Sequence, residues 1–137
     1  MFHKWSESLE RIEIKAVSLP MGNDLCVVLT GGAKPHLGAV GVAQVRPNTH
    51  DPKKLTTSTS VITLFGHKED VVATKVAHAL AVKLNKNVVS CGIHVDNITP
   101  DEMKFVWEAI EKFCNTYSDT ETENCTQPVM EGCAAPV

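Results

Sequence analysis

The stretch TSVITLFGHKEDVVATKVAHALAVKLN, Thr59 to Asn85, decides the fold. Thr59–Phe65 is β-branched and aromatic, the composition of a strand, and Gly66 stops it. Beyond it, Val72, Val76, Leu80 and Leu84 recur at spacing four, with Ala73, Ala77 and Ala81 beside them. That is the apolar stripe of a helix running from near His67 to about Asn85. Its alanine-rich side allows close approach to a sheet or to a second subunit. A second strand, held within Lys86–Val95 and centred on Val88–Cys91, follows. The unit is therefore strand–helix–strand.

Upstream, the periodicity changes to two. Ile12, Ile14 and Ala16 alternate with charged residues over positions 10–17, the pattern of a half-buried strand. The turn cluster Leu19–Asp24 leads into Leu25–Thr30, whose unbroken apolarity reads as a strand buried on both faces. Gly38–Val45 is a third strand. Its small residues imply that another element packs closely on it. Downstream, Thr99, Pro100 and Glu102 form the start of a second helix: cap, first helical position and capping box. Met103, Val106, Trp107, Ile110, Phe113, Cys114 and Tyr117 give it one broad apolar face.

The order β-β-β-β-α-β-α predicts an α/β (α+β) two-layer sandwich. The sheet has five to six strands, mostly antiparallel, with a hairpin-linked meander first and two helices on one face. Residues 1–117 form the single domain of this reading, and the polar stretch 118–137 a mobile tail.

The bulk composition limits the function classes. The chain has 137 residues, a net charge of −3 and no basic run, which argues against non-specific nucleic-acid binding. No apolar run approaches the roughly 20 residues of a membrane span, and residues 1–7 lack a signal-peptide core, so a cytoplasmic protein is expected. Five cysteines without CxxC pairing argue against a disulfide framework or a cysteine-based zinc site. Cys26, Cys91 and Cys114 read as small buried hydrophobes.

Three segments each place a glycine near a histidine. Gly31-Gly32-Ala33-Lys34-Pro35-His36-Leu37-Gly38 is longer and more basic than a hairpin turn needs. Its backbone N–H groups and Lys34 could hold an anion, with His36 exchanging a proton. It lacks the order of a Walker loop. Gly66-His67-Lys68-Glu69-Asp70 sits where a strand meets a helix, a place where unsatisfied N–H groups attract negative charge. Glu69 and Asp70 compete with such an anion. In Gly92-Ile93-His94-Val95-Asp96, alternation sets Gly92, His94 and Asp96 on one side, where His94 and Asp96 can orient one another. His36, His67 and His94 could meet at a metal, but no HExxH or HxH pattern supports that, and no metal is expected. No serine or cysteine has the context of a catalytic nucleophile.

Together these three segments resemble the LpdD family over about residues 10–117. Its members are small accessory proteins of UbiD-type gallate and hydroxyarylic-acid decarboxylases, described as prenylated-flavin chaperone-like and related in fold to proteasome assembly chaperone 4. The resemblance implies a non-catalytic protein of aromatic-acid metabolism. Its partners would be the decarboxylase large subunit and a flavin prenyltransferase, and it would itself be a homodimer. Prenylated FMN, or another phosphate-bearing ligand, would then lie against Gly31, Gly32, Lys34, His36, Gly38, Gly66, His67, Lys68 and His94. Two readings compete with this one. In the first, the chain is an enzyme using His36, His67 or His94 as acid/base on a small carboxylate. In the second, it is a purely structural assembly chaperone.

Overall fold

A computed structural model describes residues 3–32, 36–64 and 70–118, with only the backbone at 3 and 70. Six strands and two helices run in the order β1 (His3–Leu9), β2 (Ile12–Met21), β3 (Asp24–Thr30), β4 (Ala39–Pro47), β5 (Leu55–Thr63), α1 (Asp70–Leu84), β6 (Val88–Cys91) and α2 (Pro100–Thr116). They form one mixed sheet of order β1-β2-β3-β6-β4-β5. Helix α1 lies over β4, β5 and β6, and α2 lies over β1 and β2. The α+β sandwich read from the sequence is therefore the fold. The tail 118–137, apart from Ser118, lies outside the described residues.

Two features depart from the sequence reading. An additional strand, β1, pairs antiparallel with β2 through a two-residue turn at Glu10–Arg11. The alternation that marks β2 is weak in His3–Leu9, where Trp5 and Leu9 are the two large apolar residues. Second, β3 and β4 are not a hairpin. Strand β6 lies between them, parallel to β3 and antiparallel to β4. The eight-residue stretch Gly31–Gly38 is long enough to leave that gap. The short apolar run Val88–Cys91 fills it as a central strand.

The helix-covered face of the sheet holds the core. Ile12, Ile14, Leu25, Val27, Leu29 and Val88 point into it, against Val76 and Leu80 of α1 and Val106, Ile110 and Phe113 of α2, all almost fully buried. Trp5 and Tyr117 flank Phe113 at ring-centroid distances of 5.3 and 5.6 Å, and the Tyr117 hydroxyl donates to Ser18 Oγ (3.1 Å). The small residues of β4 have the expected cause: a Cβ on Gly41 would stand 3.0 Å from the Ala73 carbonyl oxygen, so α1 rests directly on the strand. Helix α2 carries the full capping box, with Thr99 and Glu102 each accepting from the other's backbone N–H.

Among the described residues, no helix covers the opposite face. Strand β3 is thus buried on one side only. Across this face the register aligns Val17, Val28, Cys91, Val40 and Ile62 in one row, and Leu19, Cys26, Val89, Val42 and Ser60 in the next. At ordinary strand spacing each row is about 19 Å long. Cys26 and Cys91 accordingly sit half-exposed on this face, whereas Cys114 is buried as read.

Candidate functional site

The register also brings the ends of β3, β5 and β6 and the start of β4 to one end of the sheet. Val28 pairs with Cys91, Cys91 with Val40, and Val40 with Ile62. The chain therefore leaves β3 at Gly31, leaves β6 at Gly92, enters β4 from Gly38 and leaves β5 at Leu64, all at the same edge. The Leu64 amide donates to the Gly38 carbonyl (2.9 Å). Lys34, Gly66, His67 and Lys68 lie outside the described residues.

The glycines here serve close contact between backbones. A Cβ on Gly92 (φ +115°) would lie 1.7 Å from the Leu29 carbonyl oxygen, and one on Gly31 would lie 2.7 Å from Ile93 Cδ1. Gly32 (φ +80°) faces the His94 carbonyl and the Val95 backbone at 3.7 Å. Thus the space beside Gly31 and Gly32 is filled by the chain's own 92–95 segment. Strand β6 stops at Cys91, so the alternation expected through Asp96 is not that of a strand. Ile93 and Val95 nevertheless turn into the core, and His94 and Asp96 turn outward.

His94 is the fixed member of the site. Its Nε2 lies 2.8 Å from Asp96 Oδ1, and its side chain is only 13% exposed, against 66% for Asp96. The ring of His36 sits 4.5 Å from that of His94 at an angle of 56°. One donor atom from each of His36, His94 and Asp96 lies within 4.8 Å of the others. The loop that carries Asp96 is clamped from the β1–β2 turn. Arg11 donates to the carbonyls of Asp96 (3.4 Å) and Asn97 (3.1 Å) and pairs with Glu102 at 2.7 Å. The bond to Arg11 is the main cause holding the Glu102 carboxyl below its ordinary pKa.

Next to the histidines, a cavity of about 180 Å³ is lined by Val28, Leu29, Thr30, His36, Leu37, Cys91 and Gly92. Its lining joins Val28 and Cys91 of the uncovered face to Leu37 and His36. Burial raises the Cys91 thiol above its ordinary pKa, which leaves it protonated and a poor nucleophile. The sequence reading paired Asp96 with His94 but did not bring Arg11 or Cys91 to the site, and neither of these carries a local signal for it. His78, by contrast, lies away from this edge, with Nδ1 2.7 Å from Thr57 Oγ1.

Fold and site together define a small mixed-sheet α+β domain with one bare face and a histidine-bearing pocket at its rim. The chain belongs to the family of prenylated flavin chaperone LpdD-like domains, whose model matches residues 8–121. Among proteins of curated function, none matches it in sequence. Of solved structures, a chain in the crystal structure of a novel chaperone complex for yeast 20S proteasome assembly is similar. The TM-score is 0.54 at 13% identity, covering 84% of this chain and 91% of that one. That likeness is one of fold.

Proposed function

We propose that this chain is a non-catalytic accessory protein that binds prenylated FMN and delivers it to a UbiD-type hydroxyarylic-acid decarboxylase. The observation that carries the reading is the junction, in a prenylated flavin chaperone-like domain, of an apolar sheet face with a mostly apolar pocket edged by His36 and Gly92. Ligand sites for molecules of cofactor size span roughly 300–1,000 Å³. The 180 Å³ cavity of one chain is smaller than that. In this reading a second copy completes it. Two copies pack their bare faces together about a two-fold axis, apolar rows inward, with Lys15 and Glu13 on the polar rim. The ring of the flavin then lies between Leu37, Val28 and the partner copy, which offsets the scarcity of aromatics for stacking. In this reading Lys34, His36, His67, Lys68 and His94 take the phosphate end, together with Gly31, Gly32, Gly38 and Gly66. Residues 1–117 act as one domain in this arrangement, and a flavin prenyltransferase supplies the cofactor.

The test is co-expression with a flavin prenyltransferase and the cognate decarboxylase. Flavin absorbance co-eluting with a dimer, and faster decarboxylation when the chain is added to apo-decarboxylase, are the expected results. Neither flavin retention nor enhancement would overturn the reading. His36→Ala and Lys34→Ala should each reduce retention without altering the unfolding midpoint. The acid/base enzyme reading has one observation in its favour, the hydrogen-bonded His94–Asp96 pair. It predicts turnover of a small carboxylate by the chain alone.

A further inference from the structure

The geometry points to a site for one divalent transition-metal ion of the zinc class, held by His36, His94 and Asp96. This goes beyond the flavin reading and does not depend on it. The three donors come from two segments that the glycines force together: Gly32 against His94, and Gly92 against Leu29. Two imidazoles and one carboxylate are a donor set suited to Zn²⁺, Co²⁺ or Ni²⁺ and poorly suited to Mg²⁺ or Ca²⁺. Zinc–ligand bonds of about 2.0–2.1 Å in a tetrahedron set donors roughly 3.3 Å apart. His94 Nε2 and Asp96 Oδ1 stand at 2.8 Å, and the three chosen donor atoms all lie within 4.8 Å of one another. To take up that spacing the exposed His36 and Asp96 side chains turn about the largely buried His94. Arg11 fixes the loop behind the carboxylate through two backbone carbonyls, an outer support of the kind that orients metal ligands. Three protein ligands leave a coordination position open toward solvent and the adjoining cavity, as in zinc sites that take a water or a further ligand.

The test is titration of the full chain, without a histidine tag and without flavin, with Co²⁺, followed by displacement with Zn²⁺. Saturation at one Co²⁺ per chain, with visible d–d absorption and no near-ultraviolet thiolate band, is expected. His94→Ala and His36→Ala should each weaken binding at least about 100-fold, the upper end of what losing even an outer-shell support costs. Asp96→Asn should weaken it as well. His36 is exposed, so its variant reports on the site even if His94→Ala fails to fold. His50→Ala and Cys91→Ser should bind as the wild type does. No saturable binding, a thiolate band, or binding indifferent to all three substitutions would overturn the site. Because the titration contains no flavin, its failure and the failure of cofactor delivery are separate results.

Discussion

The two faces of the sheet are built from alternate residues of the same strands, and they solve opposite problems. On the covered face, Ile12, Ile14, Leu25, Val27, Leu29 and Val88 lose essentially all contact with solvent. On the other, Val28, Val42 and Ile62 remain 41%, 45% and 68% exposed although they are equally apolar. Stability of the isolated chain therefore depends on the first face. The second adds little until something covers it, and a contiguous apolar patch of this width marks an interaction surface. Substitutions of similar size on the two faces should differ in what they break.

Phe113→Ala should cost the most. The ring is nearly fully buried between Trp5 and Tyr117, and truncating such a residue destabilises by about 3–5 kcal/mol. Chemical denaturation should show the midpoint fall with a nearly unchanged slope. A loss below about 1 kcal/mol would mean that the covered face is not the core. The cysteines give a second contrast. Burial raises the Cys114 thiol to about 11. At a pH well below that value it carries about 100-fold fewer thiolates than an ordinary cysteine. Alkylation followed by mass spectrometry should find Cys114 protected in the native chain. Cys26 should be labelled readily at protein concentrations low enough to keep the chain monomeric.

Gly41→Ala tests the contact between α1 and the sheet. The new methyl meets the Ala73 backbone at 3.0 Å, and overpacking of this kind costs about 1–3 kcal/mol. Val28→Lys is the matching change on the bare face. It should leave the unfolding free energy of the monomer within about 0.5 kcal/mol, the range of ordinary surface substitutions. Self-association measured by sedimentation should weaken at least about tenfold. An unchanged association constant would place the partner's footprint elsewhere.

The covered face was the legible one. The four-residue spacing of Val72, Val76 and Leu80, the box at Thr99 and Glu102, and the alternation at Ile12 and Ile14 are local signals, and burial follows them directly. The place of β6 was not legible, because Val88–Cys91 is apolar on both sides and carries no mark of which strands it joins. Strand β3 read as buried on both faces for the same reason: an interface residue such as Val28 has the composition of a core residue. At the site, the Gly/His theme picked out Gly31, Gly32, His36, Gly92 and His94, which the strand order brings to one end of the sheet. It gave a different cause for Gly31, Gly32 and Gly92, whose missing side chains make room for this chain's own backbone and Ile93. The pairing of Asp96 with His94 was legible in their two-residue offset, but the clamp on that loop by Arg11, eighty-five residues from Asp96, is recorded in no local pattern.

The clamp ties the β1–β2 turn to the start of α2, and it yields the smallest expected effect. Arg11 holds Glu102 below its ordinary pKa, so the folded state binds that proton less tightly than the unfolded chain does. The carboxylate's contribution is therefore present above the ordinary glutamate range and is lost as pH falls through its lowered folded value. Glu102→Gln keeps a side chain able to complete the capping box but removes the charge. The variant should match the wild type more closely at acid pH than at neutral pH, which means a flatter acid limb in thermal unfolding. The same substitution loosens Arg11 while leaving both apolar faces intact. A measurable loss of Co²⁺ affinity in Glu102→Gln, without any change in self-association, would show that the clamp serves the histidine site rather than the bare face. Equal losses in both would show that the edge and the face act as one surface.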